Sequence, residues 1–296
     1  MPTDPPRAPH QFALLRQRRF APFFWTQFGG AANDNLFKFA FTVMVTYRAR
    51  EVGGLSPGLM VNLIAALYIL PFVLFSATSG QLSDKWPKDL LMRRVKLLEI
   101  AIMALALWGF VAGSLAALLV CTLGMGLHST LFGPAKYAYL PQHLGEAELT
   151  GGNGMTEMGT FVAILLGNLA GGLLMGWRQG PLLAGTACVL VAVAGWAASR
   201  RIPPTPALEP ELTVRWNPWR ETLRNLRLAA RDPVLLQALL AISWMWFYGV
   251  AFLTQFPVLA KHVLHGDEQV ASLLLVVFSV GVGLGSLACE WLARGR

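Results

Sequence analysis

Hydrophobic and polar positions fall in long blocks along this chain, not at the short periods of a soluble helix or strand. Eight apolar runs, at roughly 20–47, 57–79, 95–114, 116–135, 153–176, 181–199, 234–259 and 269–289, match the ~20 residues a helix needs to cross a bilayer. The third and fourth are separated only by the uncharged stretch Ala112 to Ser114, which predicts a tight hairpin. Residues 1–19 are polar and Pro-rich, and the apolar run after them is a full span, so a tail followed by a first span is expected and not a cleavable signal.

The longest polar stretch, 200–233, divides the chain. It opens with Pro203, Pro204, Pro206 and Pro210, which exclude a continuous helix. Asn217 and Pro218 then form a good N-cap and first-turn pair. Leu223, Leu226 and Ala230 repeat at helical spacing among Arg220, Arg224, Arg227 and Arg231, the pattern of an amphipathic helix on a membrane surface, with a solvated connector as the alternative. The expected organisation is a cytoplasmic tail at 1–19, a six-helix bundle at 20–199, a cytoplasmic linker at 200–233 and the start of a second bundle at 234–296. Two spans do not make a second six-helix bundle, so about four further helices are expected, giving eight of twelve in this all-α polytopic membrane protein.

Composition agrees. Of the 296 residues 55% are hydrophobic and 14% charged, against about 25% charged in soluble domains. The net charge of +8 does not mark a nucleic-acid binder, because the basic residues alternate with apolar runs. With the N-terminus inside, 19 of the 24 Lys and Arg residues fall on the cytoplasmic side, while Arg48, Arg50, Arg178 and Lys261 fall outside and Lys38 lies within the first span. That asymmetry fixes the expected orientation. Cys121, Cys188 and Cys289 lie in apolar stretches without a CxxC spacing, and no P-loop occurs, so neither a metal site, a cofactor nor ATP-driven transport is indicated.

Candidate chemistry starts in the first span, at Gly29-Gly30 and Asn33-Asp34-Asn35-Leu36-Phe37-Lys38. Asp34 lies 14 residues into the span, about 21 Å along a helix, near mid-membrane. A charge there costs roughly 2.5–3.5 kcal/mol on insertion scales, so function is its default reading. Lys38, at i+4, is placed to pair with it, and a purely structural Asp–Lys pair is the alternative. Lys136, Glu157 and Gln255 are further candidate substrate contacts, each with interhelical hydrogen bonding as the alternative. Glu99 reads as an end-of-span partner for Arg94 or Lys96. The loop after the second span, with Gly80, Asp84, Lys85, Arg93 and Arg94, reads as a conformational latch: Gly80 for close helix approach, Asp84 for a bridge to a basic residue or a helix end. Gly285 to Glu290, with Arg294, is a degenerate echo of it. His262 and Asp267 fit the H-x-x-x-x-D pattern of glycerolipid acyltransferases, but no domain surrounds them, and the match is read as coincidence.

The loop Gly80–Arg94 resembles the signature of the major facilitator superfamily. Asn33–Lys38, Phe132-Gly-Pro-Ala-Lys136-Tyr137 with Leu140-Pro141, and Glu148–Gly154 with Glu157–Phe161 together resemble its lysophospholipid transporter branch. Thr254-Gln255-Phe256-Pro257 and Gly266-Asp267-Glu268 are similar to forms fused to acyltransferase and acyl-carrier-protein synthetase domains, as is Asn33, where stand-alone members often have Gly. The resemblance implies a facilitator fold in the bacterial inner membrane. It implies a non-enzymatic protein moving lysophospholipids inward for reacylation, with a fused or separate acyltransferase as partner. The residues by themselves leave open a facilitator for a small soluble solute, or a membrane anchor for a lipid enzyme.

Overall fold

The computed structural model describes residues 11–47, 56–265 and 268–293. Arg48, Arg50, Gly266, Asp267, Arg294 and Arg296 lie outside them, as do the first ten residues and the side chains of Thr254, Pro257 and Lys261. A 3-10 turn at Gln11–Arg16 leads into α1 (Ala21–Tyr47), α2 (Pro57–Lys85), α3 (Lys88–Ala112), α4 (Leu115–His143), α5 (Glu146–Met175) and α6 (Gly180–Ser199). A short α7 (Pro218–Ala229) precedes α8 (Pro233–His262) and α9 (Glu268–Ala293). Among the described residues there is no strand.

Every expected span is a helix. Seven of the eight contain a stretch long and apolar enough to cross a membrane, and the eighth, α1, carries Asn33, Asp34, Asn35 and Lys38. This is a multi-pass membrane protein. Four helices run well past their apolar spans: α2 to Lys85, α3 from Lys88, α4 to His143 and α5 from Glu146. All four extensions flank the α2–α3 and α4–α5 connections, at one end of the bundle. Hydropathy finds the stretch that faces hydrocarbon, whereas the hydrogen-bonded helix continues into the polar zone until a cap stops it.

The caps follow from sequence. Gly113 ends α3 at φ +67°, a conformation open to Gly, and Ser114 accepts from the Ala117 amide to start α4. That is the predicted hairpin. Asn217 accepts from the Arg220 amide with Pro218 next, as the pair predicts.

Within the bundle α1 packs along α5 and α6, α2 along α4, and α3 along α4 and α6, while α9 lies on α5. Lipid tails supply no hydrophobic drive between helices, so close backbone approach at small residues does much of the work. A β-carbon on Gly126 would lie 2.3 Å from the Tyr68 carbonyl oxygen, on Gly167 2.3 Å from that of Ala32, and on Gly154 2.4 Å from that of Ser286. Those glycines set the α4–α2, α5–α1 and α5–α9 spacings. Gly80 does not act this way: a β-carbon there meets no atom within 4 Å. It borders a cavity of about 670 Å³ between α2, α7 and α8, so the predicted close approach at Gly80 is absent among the described residues.

Gly167→Val forces α1 and α5 apart and is expected to cost about 1–3 kcal/mol, as overpacking does. Gly133→Ala, where a β-carbon meets nothing within 4 Å, is expected to be neutral or slightly stabilising. Melting temperatures in detergent check the pair; equal values would contradict the packing account.

Candidate functional site

α1, α3 and α4 each carry a charged or polar residue at or beside their midpoint. Asp34 is the middle residue of the 27-residue α1, Ser129 that of the 29-residue α4, and Glu99 lies one residue before the middle of α3. Buried in apolar surroundings, each needs a partner.

Asp34 finds two. Its Oδ2 accepts from the Tyr68 hydroxyl of α2 at 2.9 Å and from the Ser129 hydroxyl at 2.7 Å. Its Oδ1 is buried and has no hydrogen-bond partner among the described residues. The predicted Asp34–Lys38 ion pair does not form within 4 Å. The Lys38 ammonium sits 3.9 Å from the centre of the Tyr68 ring instead. The physical reason is that Tyr68 offers both residues something: its hydroxyl serves the carboxylate, and its ring face serves the ammonium. Anion and cation therefore lie side by side without closing on each other. Asn35 is spent on its own helix, donating to the Ala31 carbonyl at 2.8 Å.

Next to this open group lies a closed one. Asn33, fully buried, donates from Nδ2 to Glu99 Oε1 at 2.6 Å. Glu99 Oε2 pairs with Lys96, and His128 Nε2 stands 3.1 Å from the same oxygen. The expectation that Glu99 pairs with Arg94 or Lys96 holds for Lys96. The expected place at the end of a span does not, because α3 starts seven residues before its apolar run. For the same reason Lys96, one of the 19 basic residues assigned to the cytoplasmic side, is wholly buried. Its chain runs between α1 and α6, where a β-carbon on Gly195 would lie 2.8 Å from its Nζ and one on Gly30 3.4 Å. The two groups share a backbone, since Asn33 precedes Asp34 and His128 precedes Ser129.

A third polar group lies between α4 and α5. Lys136 donates to Thr160 Oγ1 at 3.0 Å and stands 3.6 Å from Glu157, which accepts from the Tyr137 hydroxyl at 2.7 Å. Gln27 of α1 joins it, 3.1 Å from the Thr160 hydroxyl. Tyr137 and Glu157 line a cavity of about 580 Å³ whose other wall is Ala241, Ile242, Met245 and Trp246 of α8. Gln255 is exposed on α8. Four of the seven candidates thus fall into two places, Asp34 with Lys38 and Lys136 with Glu157, while Asn33 bonds to Glu99, Asn35 to its own helix, and Gln255 stands apart on α8.

The residues of the proposed latch lie at the basic end. The Asp84 carbonyl accepts from the Leu208 and Glu209 amides, both at 3.0 Å, while the Asp84 side chain forms no ion pair within 4 Å among the described residues. Lys85 closes α2, and Arg94 lies over the Trp86 ring. Arg93 pairs with Asp89 at 3.2 Å and donates to the Ser199 and Ile202 carbonyls. Asp89 also accepts from the Thr205 amide. The bridge therefore runs through Asp89 and the linker, not through Asp84.

Sequence reading missed Tyr68, His128, Ser129, Gln27 and Thr160. A His-Ser pair in the middle of an apolar run was the available signal for α4. Single hydroxyls and amides inside spans carry too little signal to be singled out.

A bundle of membrane-crossing helices with paired polar residues at mid-depth is the architecture of a membrane transport protein. The family model of the Major Facilitator Superfamily matches residues 20–296, and the chain belongs to that family. It is similar to the lysophospholipid transporter LplT of Serratia proteamaculans (strain 568), at 28% identity over 97% of this chain and 67% of that protein. It is also similar to those of Enterobacter sp. (strain 638), 29% over 64% and 46%, and of Pectobacterium carotovorum subsp. carotovorum (strain PC1), 27% over 88% and 61%. The chain spans about half to two thirds of the length of these relatives.

Removing one member of the closed group should be severe. Glu99→Gln leaves the Lys96 ammonium unpaired in the bundle and is expected to cost about 3–5 kcal/mol. The double variant Lys96→Met/Glu99→Gln should recover most of that loss. Thermal unfolding of the two checks it; a double variant no more stable than the single would contradict the pairing.

Proposed function

We propose that this protein is a secondary transporter that moves lysophospholipids across the bacterial inner membrane, from the outer to the cytoplasmic leaflet, for reacylation by a fused or separate acyltransferase. In this reading the end carrying the α2–α3 loop, and with it the N-terminus, faces the cytoplasm, because the basic residues concentrate there. Residues 20–199 act as the first of two bundles, and 200–233 as the linker to the second.

One observation carries the proposal: a carboxylate with a free buried oxygen, Asp34 Oδ1, beside an ammonium, Lys38, that is not paired with it. A zwitterionic head such as phosphoethanolamine presents the complementary pair, its ammonium for Asp34 and its phosphate for Lys38. A charge-neutral sugar would leave both charges unmet, and a simple anion would leave Asp34 unmet. The similarity to proteins named lysophospholipid transporters points the same way. Lys136 and Glu157, paired at 3.6 Å with Glu157 lining the cavity against α8, offer a second cation and anion towards the basic end, a later station for the head.

The acyl chain needs a lipid-open path. We assign it to the α1–α5 seam, where β-carbons on Gly171 and Gly172 would meet the Leu36 carbonyl at 2.8 Å and the Phe39 ring at 2.9 Å. Small residues there allow the helices to slide and part. Gly176, at the end of α5, meets only carbonyls of its own helix.

The test is inward movement of headgroup-labelled lysophosphatidylethanolamine in vesicles containing the protein. Wild type is expected to take it up. Asp34→Asn and Lys38→Ala, each removing one charged hydrogen-bonding partner, should each lower uptake about tenfold or more while folding normally. Wild-type vesicles that take up a soluble solute but no lysolipid would overturn the reading.

A further inference from the structure

Where α1 begins and α3 and α6 reach the basic end, the bundle forms an open cavity of about 550 Å³. Its wall holds four guanidinium groups: Arg18, Arg93, Arg200 and Arg201. Arg93 is half-buried and Arg18, Arg200 and Arg201 are exposed, so like charges border one concavity at the surface, where they repel one another unless an anion answers them. We propose that this cavity is a binding site for the phosphate of an anionic membrane lipid, separate from the Asp34 and Lys136 groups and independent of what the protein transports.

The four arginines are not equivalent. Arg93 is committed: it pairs with Asp89 at 3.2 Å and donates to the Ser199 and Ile202 carbonyls at the end of α6. In doing so it occupies the carbonyls whose partial negative charge would otherwise repel an anion. Arg200 rests over the Trp196 ring, 5.2 Å from its centre, which holds the guanidinium while leaving its N–H edge free for an acceptor. Among the described residues Arg18, Arg200 and Arg201 have no carboxylate within 4 Å. Three arginines with no acid within 4 Å among the described residues thus border one small volume, a donor set that matches a phosphate's oxygens.

Depth names the source of the phosphate. The cavity sits at the first residues of α1 and just past Ser199, the last residue of α6, which is the level at which apolar helices give way to headgroups. Pro22 and Ile202 supply apolar wall beside the arginines. Basic pockets between spanning helices at this level are the usual seats of anionic headgroups. A soluble phosphate ester shares the chemistry but has no use for that apolar wall.

The test is lipid retention by native mass spectrometry of the protein in detergent, with phosphatidylglycerol and phosphatidylcholine as probes. Wild type is expected to retain phosphatidylglycerol over phosphatidylcholine, and millimolar inorganic phosphate should not displace it. Arg18→Gln/Arg201→Gln should lower retention about tenfold, the weight of charge-assisted bonds to two forks. Arg220→Gln/Arg227→Gln, two arginines of α7 outside the cavity, should leave it unchanged. Arg18→Lys/Arg201→Lys keeps the charge and loses the forks, so an intermediate value is expected, and it carries the test should the glutamine variant fail to fold. Equal losses from the cavity pair and the α7 pair would reduce the site to diffuse attraction and overturn the proposal. Displacement by inorganic phosphate, or no preference for the anionic lipid, would overturn the assignment to a lipid.

Discussion

A charge in the middle of a hydrocarbon-facing bundle must turn inward, towards other polar groups. In this protein that constraint is met along a polar spine made of two adjacent pairs, Asn33-Asp34 on α1 and His128-Ser129 on α4. One member of each pair turns to a closed group: Asn33 and His128 meet Glu99 and Lys96. The other member turns to an open group: Asp34 and Ser129 meet Tyr68, with Lys38 beside them. The closed half draws α1, α3 and α4 together around Lys96, with Gly195 of α6 making room for its chain. The open half leaves one carboxylate oxygen and one ammonium without mutual neutralisation. Rigidity and readiness to bind come from neighbouring residues of the same two helices.

The remaining packing divides between glycine contacts and the linker. Gly126, Gly154 and Gly167 set helix spacings by backbone contact. At the basic end the linker replaces a direct helix–helix latch. Thr205 is buried with its amide on Asp89, its carbonyl accepting from the Lys88 amide and its hydroxyl 2.8 Å from His143 Nε2. A rearrangement of the two ends of the chain relative to each other must pull on this segment, which ties the start of α3 to the end of α4.

Much of the fold is legible in the sequence because hydropathy and charge placement report directly on the bilayer: the eight spans, the α3–α4 hairpin and the Asn217 cap all come from local pattern. Helix ends are less legible, since a helix does not stop where hydrocarbon stops. That error moved Glu99 to a span end and Lys96 into a loop, and so concealed the closed group. The prominence of Asp34 was readable from its depth alone, but its partners were not. Tyr68 and Ser129 come from helices 34 and 95 residues away in the chain, and a lone hydroxyl in an apolar run looks like any other. The Asp34–Lys38 pair failed for a related reason: i+4 spacing permits contact, and a third residue with both a hydroxyl and a ring face outcompeted it. Gly80 likewise shows that a motif glycine says where room exists, not what fills it.

The central claim is that the open group around Asp34 receives the polar head of a lysolipid. Ser129→Cys in a Cys289→Ser background places a thiol beside Asp34 while Cys121 and Cys188 stay buried. The measurement is its rate of alkylation by a small maleimide in vesicles, with and without lysophosphatidylethanolamine. Slowing by the lysolipid, several-fold and not reproduced by diacyl lipid, is the result this account predicts. A rate that lysolipid leaves unchanged, in a protein that still moves it, would contradict the account and place the head elsewhere.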